Sequence, residues 1–499
     1  MKILLAASEI YPFAKTGGLA DVIYSLTNEL HSLGHDVKLI LPGYPQLLEV
    51  FTPLTNENRS FKISDIASYQ LEYGKLKQLR AEVFLVKSKR IFEDTRTLYQ
   101  GRKFNEFLRY LCLSDAAAKV ALGNNQANWR AEILHAHDWH AGLSFNFLGE
   151  ECTDIARVFS IHNIAFAGKF PRSFWDLAAE SGDGLSGMKF AKSQEISFLE
   201  EALLGADKIN TVSKAYAEEI KHERFGFGFE DILSKRERDL FGILNGVDYN
   251  IWHPEQDPHL PMSGCAFSDR EKRFFKSQIQ QNFRLEQDSD AVLCSFTNRL
   301  THQKMIDVVI DGLKKMDISG MQFVFHADGH PDVENALRDL EKKKPGQVSF
   351  VEGFCEETEH LLLGGADLCL SPSRFEPCGL NALYAMRYGA LPLVRPVGGF
   401  RDTVIDAFSD PENGNGFYMK AESVNSFIYT MKRIRSLFKD KDRWTDLVEN
   451  AKCQNFSWHK SAKEYVKLYR LGVRRRHMME EFCPEHYLTE TAEKVRLAS

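Results

Sequence analysis

The 499-residue chain has no basic excess: 63 Lys+Arg stand against 69 Asp+Glu, for a formal net charge of −6. A general polyanion surface is therefore excluded, and with it nucleic acid as a partner, because sequence-independent phosphate binding needs a clear surplus of cations. A small local cluster for one phosphate group is not excluded. Paired cysteines are missing too. The nine cysteines lie singly between Cys112 and Cys483, none in Cys-x-x-Cys spacing, which argues against zinc-ribbon and redox motifs and fits a reduced, cytoplasmic compartment. Long apolar runs are also lacking. Ile3 to Ala7 is too short for a signal peptide, and no stretch approaches the roughly 18 apolar residues of a membrane span. Internal repeats and low-complexity segments are likewise absent.

What is present is ordinary globular composition, 43% hydrophobic, 26% charged and 12% aromatic. One core rarely grows beyond about 250–300 residues, so two or more domains are expected. Lys2–Ala7 reads as a strand, Leu19–Leu33 as a helix with Leu19, Val22, Ile23, Leu26, Leu30 and Leu33 on one face, and Val37–Leu41 as the next strand. Strand-like runs recur at 81–86, 133–135, 158–161 and 208–212, with helical stretches between several of them. After Asn245-Gly246-Val247-Asp248 and the polar segment Trp252–Met262, a second series follows at 291–296, 322–325, 348–351, 368–370 and 391–394, with helices such as Ile306–Met316 and Leu380–Tyr388. This alternation predicts an α/β protein with two Rossmann-like, doubly wound domains facing a central cleft. The expected boundaries are 1–245, a linker over 246–262, 263–455, an amphipathic carboxyl-terminal helix over 456–475, and a polar tail over 476–499. Arg474-Arg475-Arg476 reads as part of a solvated extension.

Ligands of open parallel sheets bind beyond the carboxyl ends of the strands, and the unusual residues fall there. Lys15-Thr16-Gly17-Gly18 precedes a helix, where backbone N–H groups, the helix dipole and a lysine suit a phosphate; a plain tight turn is the alternative. His135-Ala136-His137-Asp138-Trp139-His140 invites a metal reading, but no distant Glu or Cys completes a ligand set, so no metal is expected and hydroxyl binding is favoured. His162-Asn163 ends another strand. Arg299 and Lys304 sit at a helix entry, fitting a diphosphate or a solvent-facing ion pair. Ser373-Arg374-Phe375-Glu376-Pro377-Cys378-Gly379-Leu380 joins a carboxylate, a thiol and a glycine-led helix start; Glu376 reads as a hydroxyl binder, and Cys378 has no readable partner as a nucleophile. Gly398-Gly399 allows another close backbone approach.

Taken in order, these motifs, with Lys15 through Val22, Asn245 through Asp248, Asp402-Thr403-Val404 and Phe456-Ser457-Trp458, resemble the bacterial glycogen synthase and plant starch synthase family. That family consists of retaining glucosyltransferases of the GT-B fold (glycosyltransferase family 5). The resemblance covers about the first 470 residues. It implies transfer of glucose from ADP-glucose to the non-reducing 4-hydroxyl of an α-1,4-glucan such as glycogen, without metal or cofactor. It also implies an amino-terminal acceptor domain, a carboxyl-terminal nucleotide-sugar domain, and a final helix that returns to the first.

On the same resemblance, Lys15, Gly18, Arg299 and Lys304 bind the diphosphate, while Glu376 and the Cys378-Gly379 backbone hold glucose hydroxyls. His162 sits near the 6-hydroxyl and Asp138 on the acceptor side; Gly17, Asp21, Asn163, Asn245 and Leu380 join the substrate-binding set. Departures are Met305 for Gly after the lysine, Ala327-Asp328-Gly329-His330 for a Gly-x-Gly-Asp loop, Asn381-Ala382 for Thr-Gln, and Glu200 for Lys. The Gly replacements are expected to crowd the backbone and Glu200 to reverse a charge, touching donor affinity and choice. A degenerate GT-B protein with a regulatory role, or a GT-B glycosyltransferase using another donor, are the alternatives. The sequence carries no signal for oligomeric state.

Overall fold

The computed structural model describes residues 1–92, 98–99, 102–180, 182, 185, 188, 190, 193–261, 267–353 and 355–482. They fall into two compact units, one within Met1–Val212, Ala217–Gly246 and Trp458–Ser499, the other within Ser213–Tyr216 and Val247–Ser457. The first unit is therefore discontinuous: the chain leaves it, builds the second unit, and comes back.

The first unit holds a ten-stranded sheet. Its parallel part runs in the order Leu240–Gly242, Lys208–Thr211, Ala156–Ile161, Ile133–His137, Lys2–Ala6, Asp36–Pro42, Glu82–Lys87. Ser68–Leu76, with Phe51–Pro53 and Arg59–Lys62 beside it, extends the edge in antiparallel sense. From Lys2–Ala6 the chain winds first toward Asp36–Pro42 and later, through Ile133–His137, the other way, so the switch point lies between Lys2–Ala6 and Ile133–His137. The crossover helix Gly18–Ser32 buries Leu19, Val22, Ile23, Leu26 and Leu30, each contributing roughly 1.5–3 kcal/mol. Gly34, with φ +82°, turns the chain out of it.

The second unit holds six parallel strands in the order Val348–Glu352, Met321–Ala327, Val292–Phe296, Leu368–Ser371, Leu391–Val394, Phe417–Tyr418. Its switch point lies between Val292–Phe296 and Leu368–Ser371. The helix Asp269–Asn282 starts with a Ser268–Glu271 capping box and places Ile279 against Leu293, Val324 and Leu362.

Two expectations are corrected. The segment after Val247 is no free linker. Trp252 lies flat between His360 and Tyr384, with ring centroids 4.1 Å and 3.9 Å away, and Asp257 and Leu260 are buried in the second unit. The polar composition of 252–262 hid one large anchor, Trp252; Met262 lies outside the described residues. The carboxyl-terminal helix runs from Trp458 to Phe482, so the three arginines belong to it rather than to a solvated extension. Arg476 is buried and its Nε donates to Asp207 Oδ2 at 2.7 Å, while Arg475 Nη1 reaches Asp239 Oδ2 at 2.8 Å. Two carboxylates distant in sequence thus turn a charge run inward. Removing one member of a buried ion pair strands the other, so Arg476→Ala is expected to destabilise the protein by about 3–5 kcal/mol in urea unfolding. Arg474→Ala, lacking such a buried pair, is the control and should change stability by less than about 0.5 kcal/mol.

Candidate active site

In the first unit the chain leaves Ala6 into a loop organised around a residue the sequence reading passed over. Glu9, only 3% exposed, accepts from Thr16 N at 2.8 Å, Thr16 Oγ1 at 2.7 Å and Gly17 N at 3.3 Å, and from the Tyr99 hydroxyl. Two N–H groups that could have cradled an anion are thus already occupied by a carboxylate of the chain itself. Gly18 opens the helix, and Lys15 Nζ lies 2.9 Å from Asp21 Oδ1 in its first turn. Lys15, Gly17, Gly18 and Asp21 are therefore together, as one helix-entry cluster. Glu9 stands just past the first strand, so the strand-end rule could have flagged it.

Across the switch point, Asp138 follows His137 with φ +55°, a left-handed backbone unusual for a non-glycine residue. Its Oδ1 accepts from His162 N at 2.7 Å, which joins the ends of two adjacent strands. Burial pushes the Asp138 carboxyl up to about 7, against the backbone donors of His162 and Asn163 that pull it down. His162 Nε2 lies 2.9 Å from His137 Nδ1, and burial pushes the His162 imidazole down to about 3, so it is neutral at physiological pH. Behind it His135 bonds Tyr469 Oη at 2.8 Å and Ser160 Oγ at 2.7 Å. His135, His137 and His140 are each held well below the usual histidine range by burial. The His135 and His137 rings pack 3.9 Å apart, but the three do not meet at one point, since His140 stacks on Tyr99. Asn163 Oδ1 caps the next turn at Ala165 N, 3.1 Å away. Asn245 is separate from this group, buried, with its Oδ1 lacking a hydrogen-bond partner. Beside Trp139 a cavity of about 390 Å³ is lined by Phe166, Phe170, Phe227, Phe229 and Lys103.

In the second unit the switch point brings Lys304 and Glu376 together. Lys304 Nζ is 2.6 Å from Glu376 Oε2, which also accepts from Ser373 Oγ at 2.7 Å. Arg374 fixes the loop by gripping Asp307 with two guanidinium nitrogens at 2.9 and 2.8 Å, and its own N–H donates to Gln303 O at 2.7 Å. Arg299, on the adjoining strand-end loop, is exposed. Gly379 has φ +86°, and a Cβ there would meet Phe400 at 2.2 Å; a Cβ on Gly399 would meet Cys378 O at 2.1 Å. Glycine is favoured at both positions, at Gly379 by its positive φ against the Phe400 ring and at Gly399 because its backbone lies directly on that of Cys378. Cys378 is buried and in no disulfide, and Leu380 begins the helix Leu380–Arg387.

The departures sort by geometry. Met305 has φ +53° and is fully buried, so the backbone keeps the turn that glycine favours while its side chain packs inside. Ala327 ends a regular strand and has no positive φ. Gly329 is retained where a Cβ would strike the Leu300 backbone at 2.6 Å. Asn381 Nδ2 donates to Thr297 Oγ1 at 3.1 Å, tying the two strand-end loops together. Glu200 lies in the first turn of Phe198–Gly205, where a negative charge favours the helix. Met305→Gly relieves about 1–2 kcal/mol of left-handed strain but removes a buried side chain worth about 2–5 kcal/mol. Net destabilisation of about 1–3 kcal/mol is expected from chemical denaturation, and a more stable variant would contradict this accounting.

Two family models match the chain. The starch synthase catalytic domain matches residues 2–235, and the group 1 glycosyl transferases match residues 277–454. The chain is 36% identical over 482 residues to a glycogen synthase of Paramagnetospirillum magneticum, covering 94% of this chain and 97% of that protein. To a glycogen synthase of Haemophilus influenzae it is 34% identical over 481 residues, covering 94% and 99%. The catalytic domain of starch synthase IV from Arabidopsis thaliana, solved bound to ADP and acarbose, superposes with a TM-score of 0.82 at 26% identity, covering 95% of this chain and 99% of that one. The sequence resemblance and the GT-B expectation both hold. With relatives matched along nearly their whole length, the chain belongs to the glycogen synthase and starch synthase family, hexosyl-transferring enzymes of the GT-B fold.

Proposed function

We propose that the chain transfers glucose from ADP-glucose to the non-reducing 4-hydroxyl of an α-1,4-glucan, with retention at the anomeric carbon. The observation that carries this reading is the Lys304–Glu376 pair at the switch point of the second sheet. A cation and a hydroxyl-binding carboxylate stand side by side there, as a sugar diphosphate requires. The ADP bound to starch synthase IV from Arabidopsis and the names of the glycogen synthase relatives support the choice of donor and acceptor.

In this reading Arg299 and Lys304 of the second unit engage the diphosphate, and their charge offsets what develops on the leaving group; Lys15 and Gly18 are the phosphate-binding candidates of the first unit. Preorganised donors of this kind can each supply roughly 3–4 kcal/mol in a dry site. Glu376, held by Ser373, accepts from glucose hydroxyls together with the backbone at Cys378 and Gly379. Neutral His162 lies against the sugar near its 6-hydroxyl. Ionised Asp138 accepts from the incoming hydroxyl, and the aromatic walls of the cavity by Trp139 hold further glucan units. The leaving diphosphate departs from the face the acceptor enters, through an oxocarbenium-like state, and the residues named need no metal or cofactor for these steps. Gly17, Asp21 and Asn163 shape the two loops; Asn245 offers its buried carbonyl to the same substrates. A cytoplasmic setting keeps the free thiols reduced.

Glucose incorporation into glycogen from labelled ADP-glucose is expected, with UDP-glucose a poor donor. Lys304→Ala should lower kcat/KM by about 10²–10³-fold. Glucan binding without turnover on either donor would point to a regulatory protein, and preference for UDP-glucose would overturn the donor assignment alone.

The pH profile tests Asp138. Its carboxyl stays largely protonated below about 7, so kcat/KM should fall as pH drops through that value. Asp138→Asn should be slower and flat across the same range; an unaltered acidic limb in that variant would exclude the role.

A further inference from the structure

A second polar cluster lies in the second unit, apart from the donor residues. The helix Glu356–Gly365 carries Glu356 and His360 one turn apart, on one face. His259, from the segment that follows Val247, packs over His360 with ring centroids 4.7 Å apart. Each of the three offers one ligand atom, and these atoms lie within 4.8 Å of one another. Among the described residues no other group of three His, Cys, Asp or Glu meets that test.

The surroundings are built to orient one imidazole. The His360 side chain is fully buried, and its Nδ1 lies 2.6 Å from Asp257 Oδ2. Asp257 is also buried and accepts from the Tyr388 hydroxyl, while its Oδ1 accepts from His259 N at 2.9 Å. One carboxylate therefore fixes both the ring of His360 and the backbone of His259. Trp252, parallel to the His360 ring within 8°, keeps that ring from swinging away. With Nδ1 taken, Nε2 is the remaining coordinating atom of the ring, and it is buried without a hydrogen-bond partner. An orphaned buried nitrogen costs about 1–3 kcal/mol unless something occupies its lone pair.

We propose that His259, Glu356 and His360 bind a divalent cation of the zinc class, with Asp257 orienting His360 from behind. Two imidazole nitrogens and one carboxylate oxygen suit that ion, leaving a fourth position for water. The carboxylate–histidine pairing is the arrangement that sets the tautomer of metal-bound imidazoles. Ligand atoms around one tetrahedral zinc sit about 3.3 Å apart for bonds near 2.0 Å, a closure within reach of the half-buried His259 and Glu356 side chains. The ion would pin the segment entering the second unit to the helix Glu356–Gly365, a structural role separate from glucosyl transfer.

The test uses the full chain, stripped with a chelator and titrated with zinc chloride against a chromophoric competitor. One tight equivalent per chain is expected, together with an upward shift in the thermal midpoint. His259→Ala and Glu356→Gln, both at half-buried positions, should each weaken that equivalent at least tenfold while keeping the wild-type circular dichroism. Asp257→Asn should weaken it roughly 10–100-fold. Cobalt substitution should give the visible bands of a tetrahedral nitrogen–oxygen site in wild type and lose them in His259→Ala. No stoichiometric uptake by wild type, or equal affinity in the His259 and Glu356 variants, would overturn the proposal.

Discussion

A doubly wound parallel sheet reverses its winding once, and at that place two neighbouring strands send their loops to opposite faces. The gap between those loops is the one place at the strand ends where side chains from distant parts of the sequence can gather without a helix covering them. Both units obey this constraint. In the first it assembles the helix entry at Lys15 with the Asp138–His162 junction; in the second it joins Lys304 to Glu376. The chemistry of the protein depends on this topology before it depends on any particular residue.

Lys15, Lys304 and Arg374 are each steadied by a carboxylate of the chain, Asp21, Glu376 and Asp307 respectively, whereas Arg299 is exposed. Glu9 does the same for backbone donors at Thr16 and Gly17. Such internal partners lower the net positive potential offered to a ligand. In return they hold each donor in place, so binding does not bear the cost of ordering it. The net charge of −6 does not preclude such local cations, because each is fixed by a partner of its own.

Much of the architecture was legible because its signals are local. Apolar runs of strand length and helical spacing mark the alternation at Lys2–Ala6, Gly18–Ser32 and Asp36–Pro42, and glycine pairs mark the loops. What escaped depends on partners far away in sequence. Arg476 looks like surface charge until Asp207 is placed opposite it. Trp252 looks like part of a linker until His360 and Tyr384 enclose it. Met305 and Ala327 both replace an expected glycine, yet only Met305 sits at a positive φ, and no local pattern separates the two. Glu9 belongs to no motif, and only the folded loop shows its carboxylate taking up the Thr16 and Gly17 N–H groups.

The discontinuity of the first unit sets the order in which the molecule can be completed. During synthesis, residues up to Gly246 emerge long before the helix Trp458–Phe482 that belongs with them. Until that helix arrives, His135 lacks the Tyr469 hydroxyl, Asn210 lacks Tyr465, and Asp207 lacks Arg476. The nascent first unit thus waits with buried polar groups each short of one partner, held meanwhile by Ser160 and the Arg157 backbone, while the second unit can close on itself. Behind His162, the His135–Tyr469 hydrogen bond is completed only by the helix Trp458–Phe482, so a chain cut before that helix would leave His135 with Ser160 as its hydrogen-bond partner.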